Sequence, residues 1–97
     1  MTVVVLVETH VKPEVLTSLN ELEEKYLPAT RAFPGCQDIA VLQGKDDPCN
    51  IIYFAHWDSA EDYEKYLAWR KQEGVYDVAL SLSSGPAPHV RYFNVRA

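Results

Sequence analysis

The sequence predicts an α+β domain: a four-stranded antiparallel sheet with two helices on one face. Three observations lead there. Four short runs rich in β-branched and aromatic residues alternate with two longer stretches of helical periodicity. Pro and Gly stand at the boundaries between them. The segments follow one another in the order β-α-β-β-α-β. A length of 97 residues allows one domain, residues 1–97, since domains typically run to roughly 100–150 residues. Hydrophobic residues make up 47% and charged residues 24% of the chain, an ordinary globular balance that sets aside disordered and collagen-like classes.

Thr2–Val11 is dominated by valine and reads as the first strand. Lys12-Pro13 ends it, and Pro13 suits the first turn of a helix, where a missing N–H costs nothing. Val15, Leu19, Leu22, Tyr26 and Phe33 then recur at mostly helical spacing, with Leu16 and Leu27 flanking the stripe. Pro28 is expected to kink or end this helix, because it cannot donate to the carbonyl of Glu24. Pro34-Gly35 is a stop. Cys36–Gln43 is the second strand, with Ile39 and Val41 on one face and Ala40 and Leu42 on the other. Gly44 to Pro48 is a turn by composition, and Asn50–Trp57 a third, nearly continuous apolar strand. Asp58 is the expected N-cap of the next helix, with Glu61 completing a capping box. Ala60, Tyr63, Leu67 and Arg70 share one stripe of that helix. Gly74 breaks it, Val75–Leu82 forms a short further helix, Ser83 to Pro88 is loop, and His89–Val95 is the last strand. This order is the ferredoxin-like, split βαβ arrangement, and right-handed crossovers put both main helices on one sheet face.

The first and third strands are apolar on both sides: Val3, Val5 and Val7 oppose Val4 and Leu6, and Ile51, Tyr53 and Ala55 oppose Ile52 and Phe54. Helices cover one face only, and an exposed apolar patch of this kind marks an interface. A homodimer through the open sheet face is therefore expected. Nine Lys+Arg against fourteen Asp+Glu give a formal net charge of −5, with no basic run, which argues against a nucleic-acid partner. Val3–Val7, the longest apolar stretch, falls far short of the roughly 20 residues a membrane span needs, and no secretory signal precedes it. The expectation is a cytoplasmic protein with reduced Cys36 and Cys49. The absence of CxxC and HxxxH spacings leaves no metal site in prospect.

Three segments carry a family resemblance: Val-Lys-Pro-Glu (Val11–Glu14), Thr-Arg-x-x-Pro-Gly-Cys (Thr30–Cys36) and Tyr-Phe-Ala-His-Trp-Asp-Ser-Ala-Glu-Asp-Tyr (Tyr53–Tyr63). Together they resemble the antibiotic biosynthesis monooxygenase (ABM) domain family over essentially the whole chain. The resemblance implies a dimeric α/β barrel and one of several activities: cofactor-free oxygenation of polyphenols or quinols, haem degradation, or isomerisation of a signalling sugar. In the polyketide-oxidising branch a Trp ending the third strand and a Tyr six residues later line the substrate cavity, and Trp57 and Tyr63 match that spacing. The Asn that branch carries four residues before the Trp is Tyr53 here, and Asp77 lies near the position of its Arg. Of the haem-degrading branch's Asn, Trp and His, only the Trp is matched. The signalling-sugar branch is similar in Leu6–Glu8 and in Gly85 to Asn94, but Lys65 to Lys71 occupies the region of its histidines.

By period two, Trp57, Tyr53 and Ala55 share a strand face. Trp57 and Tyr63 would wall a flat aromatic pocket suited to a planar phenol, anthrone or quinol; the plain alternative is that they are core. His10 and Glu8 share a face near the carboxyl end of the first strand. Because the first and third strands are neighbours, His10 is expected to reach Trp57 and act as a base near neutral pH, unless it is an exposed strand-end residue. A base there would make the electron-rich anion that passes an electron to dioxygen without flavin or metal, as the resemblance implies. The expected site thus has Trp57, Tyr63 and His10 as catalytic residues and Tyr53, Glu8, Leu67 and Arg70 as substrate contacts, with no cofactor. Glu21, Glu23 and Glu24 read as a solvated face, His56 as structural on the opposite face, and Tyr66 and Trp69 as packing on the third helix or a partner subunit. The competing function is a non-catalytic small-molecule-binding barrel, or an isomerase with a more polar lining.

Overall fold

A computed structural model describes residues 2–97. Strand β1 (Val3–His10) leads through a single 3₁₀ turn, Pro13–Val15, into helix α1 (Leu16–Ala32). Strands β2 (Cys36–Gln43) and β3 (Asn50–Trp57) follow, then helices α2 (Ala60–Gln72) and α3 (Val75–Leu82), and strand β4 (His89–Asn94). The sheet order is β2-β3-β1-β4, antiparallel throughout. This is the ferredoxin-like α+β fold the sequence predicts. No helix among the described residues is long and apolar enough to cross a membrane.

Alternation places Val5, Ala55 and Trp57 on the helix-covered face, where they form the centre of the core with Tyr63 from α2. A second cluster, Val11, Leu19 and Ile51, closes the space at the other end of α1. Val5 pairs across from Ala55 and Tyr92, so β4 contributes Tyr92 and Val90 to the same face. The opposite face carries Val4, Leu6, Ile52, Phe54, Ala40, Leu42 and Phe93, with Leu42 and Phe93 each 45% exposed. His56 sits on this face and bonds Asp38 Oδ1 through Nδ1 at 2.7 Å.

Three local expectations need correction. Helix α1 does not end at Pro28 but continues to Ala32; the lost bond to Glu24 is offset by the tertiary packing of the turn beyond it, where Thr30 is 1% exposed. The N-cap of α2 is Ser59, whose Oγ accepts the Asp62 N–H at 3.2 Å. Asp58 is engaged elsewhere: its N–H donates to the Gly35 carbonyl and its Oδ1 accepts from Gln37 Nε2. Tyr66 and Trp69 pack on Phe33, at ring-centroid distances of 5.4 Å each, rather than on α3. Gly35 makes the tight entry into β2 with φ 95°, and a Cβ there would lie 2.5 Å from that of Asp62. Only glycine fits such a backbone with α2 so close.

Candidate functional site

Between the sheet and the three helices lies a cleft of about 220 Å³. Its floor is the inward row of β1 (Val5, Val7, Thr9) and of β3 (Tyr53, Ala55, Trp57). Its walls are Leu19, Glu23, Tyr26 and Thr30 of α1, Tyr63, Tyr66, Leu67 and Arg70 of α2, and Tyr76 and Ala79 of α3. Most of this lining is apolar or aromatic, the usual character of a small-molecule site. Its volume is below the roughly 300–1,000 Å³ of sites for drug-sized ligands, so it suits a compact one.

Trp57 is 1% exposed and stands edge-on to Tyr63 at 5.7 Å between centroids, with Tyr66 at 5.3 Å from Trp57 and 6.1 Å from Tyr63, so the three rings form a cluster. Its Nε1–H has no acceptor among the described residues, and neither has Thr9 Oγ1 a partner. Burial pushes the Tyr63 hydroxyl's pKa well up, and the neighbouring Tyr92 adds to this. Four residues of β3 separate Trp57 from Tyr53, about 13 Å at ~3.3 Å per residue. There the Tyr53 hydroxyl donates to Glu23 Oε2 at 3.1 Å. Burial raises the Glu23 pKa, and the bond from Tyr53 opposes that rise. Burial first, then the Glu23 charge, pushes the Tyr53 pKa up.

Arg70 is 5% exposed although it is a cation. Its Nε donates to Tyr66 Oη at 3.1 Å, and Nη2 donates to the Tyr26 carbonyl and to Thr30 Oγ1 at 3.0 Å. Thr30 and Tyr66 hydroxyls share a bond of 2.7 Å. The guanidinium lies 4.4 Å from the Trp69 ring centroid, and Nη1 is 3.6 Å from the half-exposed Glu73 carboxylate. These bonds hold the buried guanidinium in one position, at the α1–α2 wall of the cavity.

Trp57, Tyr63, Tyr53, Leu67 and Arg70 therefore come together around one space. His10 and Glu8 do not. In an antiparallel pair the carboxyl ends lie at opposite ends of the sheet: Trp57 pairs across from Val3, whereas His10 pairs with Asn50. His10 is also on the open face, its side chain 53% exposed and 3.6 Å from Asp47. Glu8, likewise on that face, accepts from Asn50 Nδ2 at 3.0 Å and lies 3.5 Å from Arg91. The residues that sequence reasoning missed are Glu23, Thr30, Tyr66 and Thr9. For Glu23 and Thr30 a signal existed: four and eleven residues after Leu19, both fall on the apolar stripe of α1. Cys36 and Cys49 are free thiols, and among the described residues no three His, Cys, Asp or Glu side chains converge.

Fold and cavity together define a small α+β domain with an aromatic-walled site enclosed between sheet and helices. The model of the family described as "Antibiotic biosynthesis monooxygenase" matches residues 2–79, and the chain belongs to that family. No curated protein matches the chain. Among solved structures it is similar to a conserved protein from Methanosarcina mazei Go1, at 14% identity over 99% of this chain and 94% of that one, with a TM-score of 0.87. It is similar to Rv0793 from Mycobacterium tuberculosis, at 20% identity over 100% and 97%, with a TM-score of 0.72. It is also similar to a monooxygenase from the gene ActVA-Orf6 of Streptomyces coelicolor, solved with the ligand nanaomycin D, at 22% identity over 98% and 88% and a TM-score of 0.79. At these identities the likeness is one of fold.

Proposed function

We propose that the protein is a cofactor-independent monooxygenase that oxidises a small electron-rich aromatic, a phenol, anthrone or quinol, with dioxygen. For an anthrone the reaction balances without an external reductant. The methylene carbon loses both hydrogens, one atom of dioxygen becomes its carbonyl oxygen, and the other leaves as water. Trp57 and Tyr63 form the aromatic wall against which the ring lies, Tyr53 and Leu67 frame it, and Arg70 faces negative charge that develops on the bound anion. The observation that carries the reading is the Trp57 indole N–H, buried in the wall of an apolar cavity and without an acceptor among the described residues. An unmet buried donor costs about 1–3 kcal/mol, which a ligand oxygen would recover. Family membership and the structure solved with nanaomycin D point to the same ligand class. The mostly apolar lining speaks against the sugar-isomerase alternative, and the open cavity against a barrel whose interior is filled by its own side chains.

The reading includes a homodimer through the open sheet face, a cytoplasmic setting in which Cys36 and Cys49 stay reduced, and no partner beyond the second copy and the aromatic substrate. Oxygen uptake by metal-stripped, flavin-free protein on a panel of anthrones, hydroquinones and catechols tests the activity. We expect uptake above the autoxidation background. Trp57→Phe, which keeps the ring but removes the N–H, should lower it about tenfold, the value of one hydrogen bond of about 1–1.5 kcal/mol. Background-level uptake by the wild type across the whole panel would sink the oxygenase reading.

A further inference from the structure

We propose that Glu23 is the base of this cavity, taking the hydroxyl proton of a bound phenolic or enolic ligand while Tyr53 holds its carboxylate in position. The inference rests on the reading of the cavity as a site for hydroxylated aromatics. Among the described residues Glu23 is the one carboxylate that lines the cavity, and the expected base, His10, is on the other face of the sheet. Its Oε2 is fixed by the Tyr53 hydroxyl at 3.1 Å, and its Oε1 has no protein hydrogen bond among the described residues. A half-desolvated carboxylate with one oxygen pinned and the other free is the arrangement a base needs: the free oxygen meets the ligand hydroxyl, and burial makes it more basic than in water.

The proton bookkeeping is simple. The ligand O–H bond breaks, an Oε1–H bond forms, and the electron pair stays on the ligand oxygen. The total charge of the site does not change; negative charge moves from the rim at Glu23 to the ligand. Arg70 donates to Thr30 Oγ1 and to the Tyr26 carbonyl of α1, and its ion pair is with Glu73. Among the described residues it makes no direct pair with Glu23, but it borders the same cavity and attracts the ligand anion. The other titratable or charged groups facing the cavity are Tyr26, Tyr53, Tyr63, Tyr66, Tyr76 and Arg70. On the solvent side, Glu24 and Arg31 share a surface groove with Glu23.

The test is a proton inventory that does not depend on turnover. Binding of 4-nitrophenolate is measured by calorimetry above the pH at which the free phenol ionises, in two buffers of different ionisation enthalpy. The wild type should take up close to one proton per phenolate bound, because one proton must be shared between Glu23 and the ligand oxygen. Glu23→Gln should bind with almost no uptake, and Glu21→Gln, on the exposed side of α1, should match the wild type. Tyr53→Phe should keep the uptake but move its midpoint to higher pH, since the Tyr53 bond holds the Glu23 pKa down. In oxygen uptake at neutral pH, Glu23→Gln should lose on the order of a hundredfold. Equal proton uptake by wild type and Glu23→Gln, or failure of the wild type to bind 4-nitrophenolate, would overturn the inference. Oxygen consumption accompanied by equal proton uptake would overturn Glu23 alone. Glu23-dependent proton uptake without oxygen consumption would keep Glu23 as the proton acceptor and contradict the oxygenase.

Discussion

At Glu23, burial and a single hydrogen bond pull in opposite directions, and burial is the larger. The native pKa therefore lies above the ordinary glutamate value, so the folded chain binds more protons than the unfolded chain between the two. Stability from this group is full below the ordinary value and falls as pH rises through the native one. Glu23→Gln removes that loss while keeping an oxygen for the Tyr53 hydroxyl. We expect the variant to melt higher than wild type at pH 7 and the gap to close below about pH 4.5, where the wild-type carboxyl is protonated too. Thermal melts at the two pH values check this; a variant that melts lower at pH 7 would contradict it. That Glu23 differs from Glu21 and Glu24 is hidden in a run of acids, whose usual reading is a solvated face. Only its phase relative to Leu19 and Thr30 separates it from them. The misplacement of His10 has a different cause. Its residue type and strand were legible, but strand parity and antiparallel direction had to be applied together, and either one alone removes it from Trp57.

Among the elements, legibility follows the punctuation. Cys36–Gln43, Asn50–Trp57 and Val75–Leu82 have the boundaries the sequence predicts, because Pro34-Gly35, the Gly44–Pro48 turn and Gly74 leave few alternatives. Where two residues compete for one role, sequence does not decide. Asp58 and Ser59 are both good caps, and the choice falls to Ser59 because Gly35 and Gln37 claim Asp58. Pro28 is a case of tertiary packing overriding a local rule. The single turn after it carries Thr30, which accepts from Arg70 and meets Tyr66, so the helix continues for the sake of contacts 36 and 40 residues away. The same turn therefore both extends α1 and positions the cation of the cavity.

For the molecule as a whole, the sheet explains the association state we propose. One face is spent on the core and the cavity; the other leaves Leu6, Leu42, Ile52, Phe54 and Phe93 without helix cover. Burying a few hundred Å² of such surface at about 25 cal/mol per Å² contributes several kcal/mol. Sedimentation equilibrium should give a dimer for the wild type and a monomer for Phe93→Glu, which places a charge on that face. A wild type that stays monomeric at every concentration would contradict the dimer. Sequence alone carried the fold, the apolar faces and four of the cavity's aromatic and aliphatic walls, Tyr53, Trp57, Tyr63 and Leu67. It did not carry the polar groups that α1 brings in, because those depend on how the helix rolls on the sheet. In the proposed reaction one atom of dioxygen is transferred to the ligand held in this cavity. Oxidation of an anthrone under ¹⁸O₂, with mass analysis of the product, checks this. We expect one ¹⁸O in the new carbonyl, formed faster than in a protein-free control and slower in Trp57→Phe; unlabelled product, or label formed only at the control rate, would contradict the proposal.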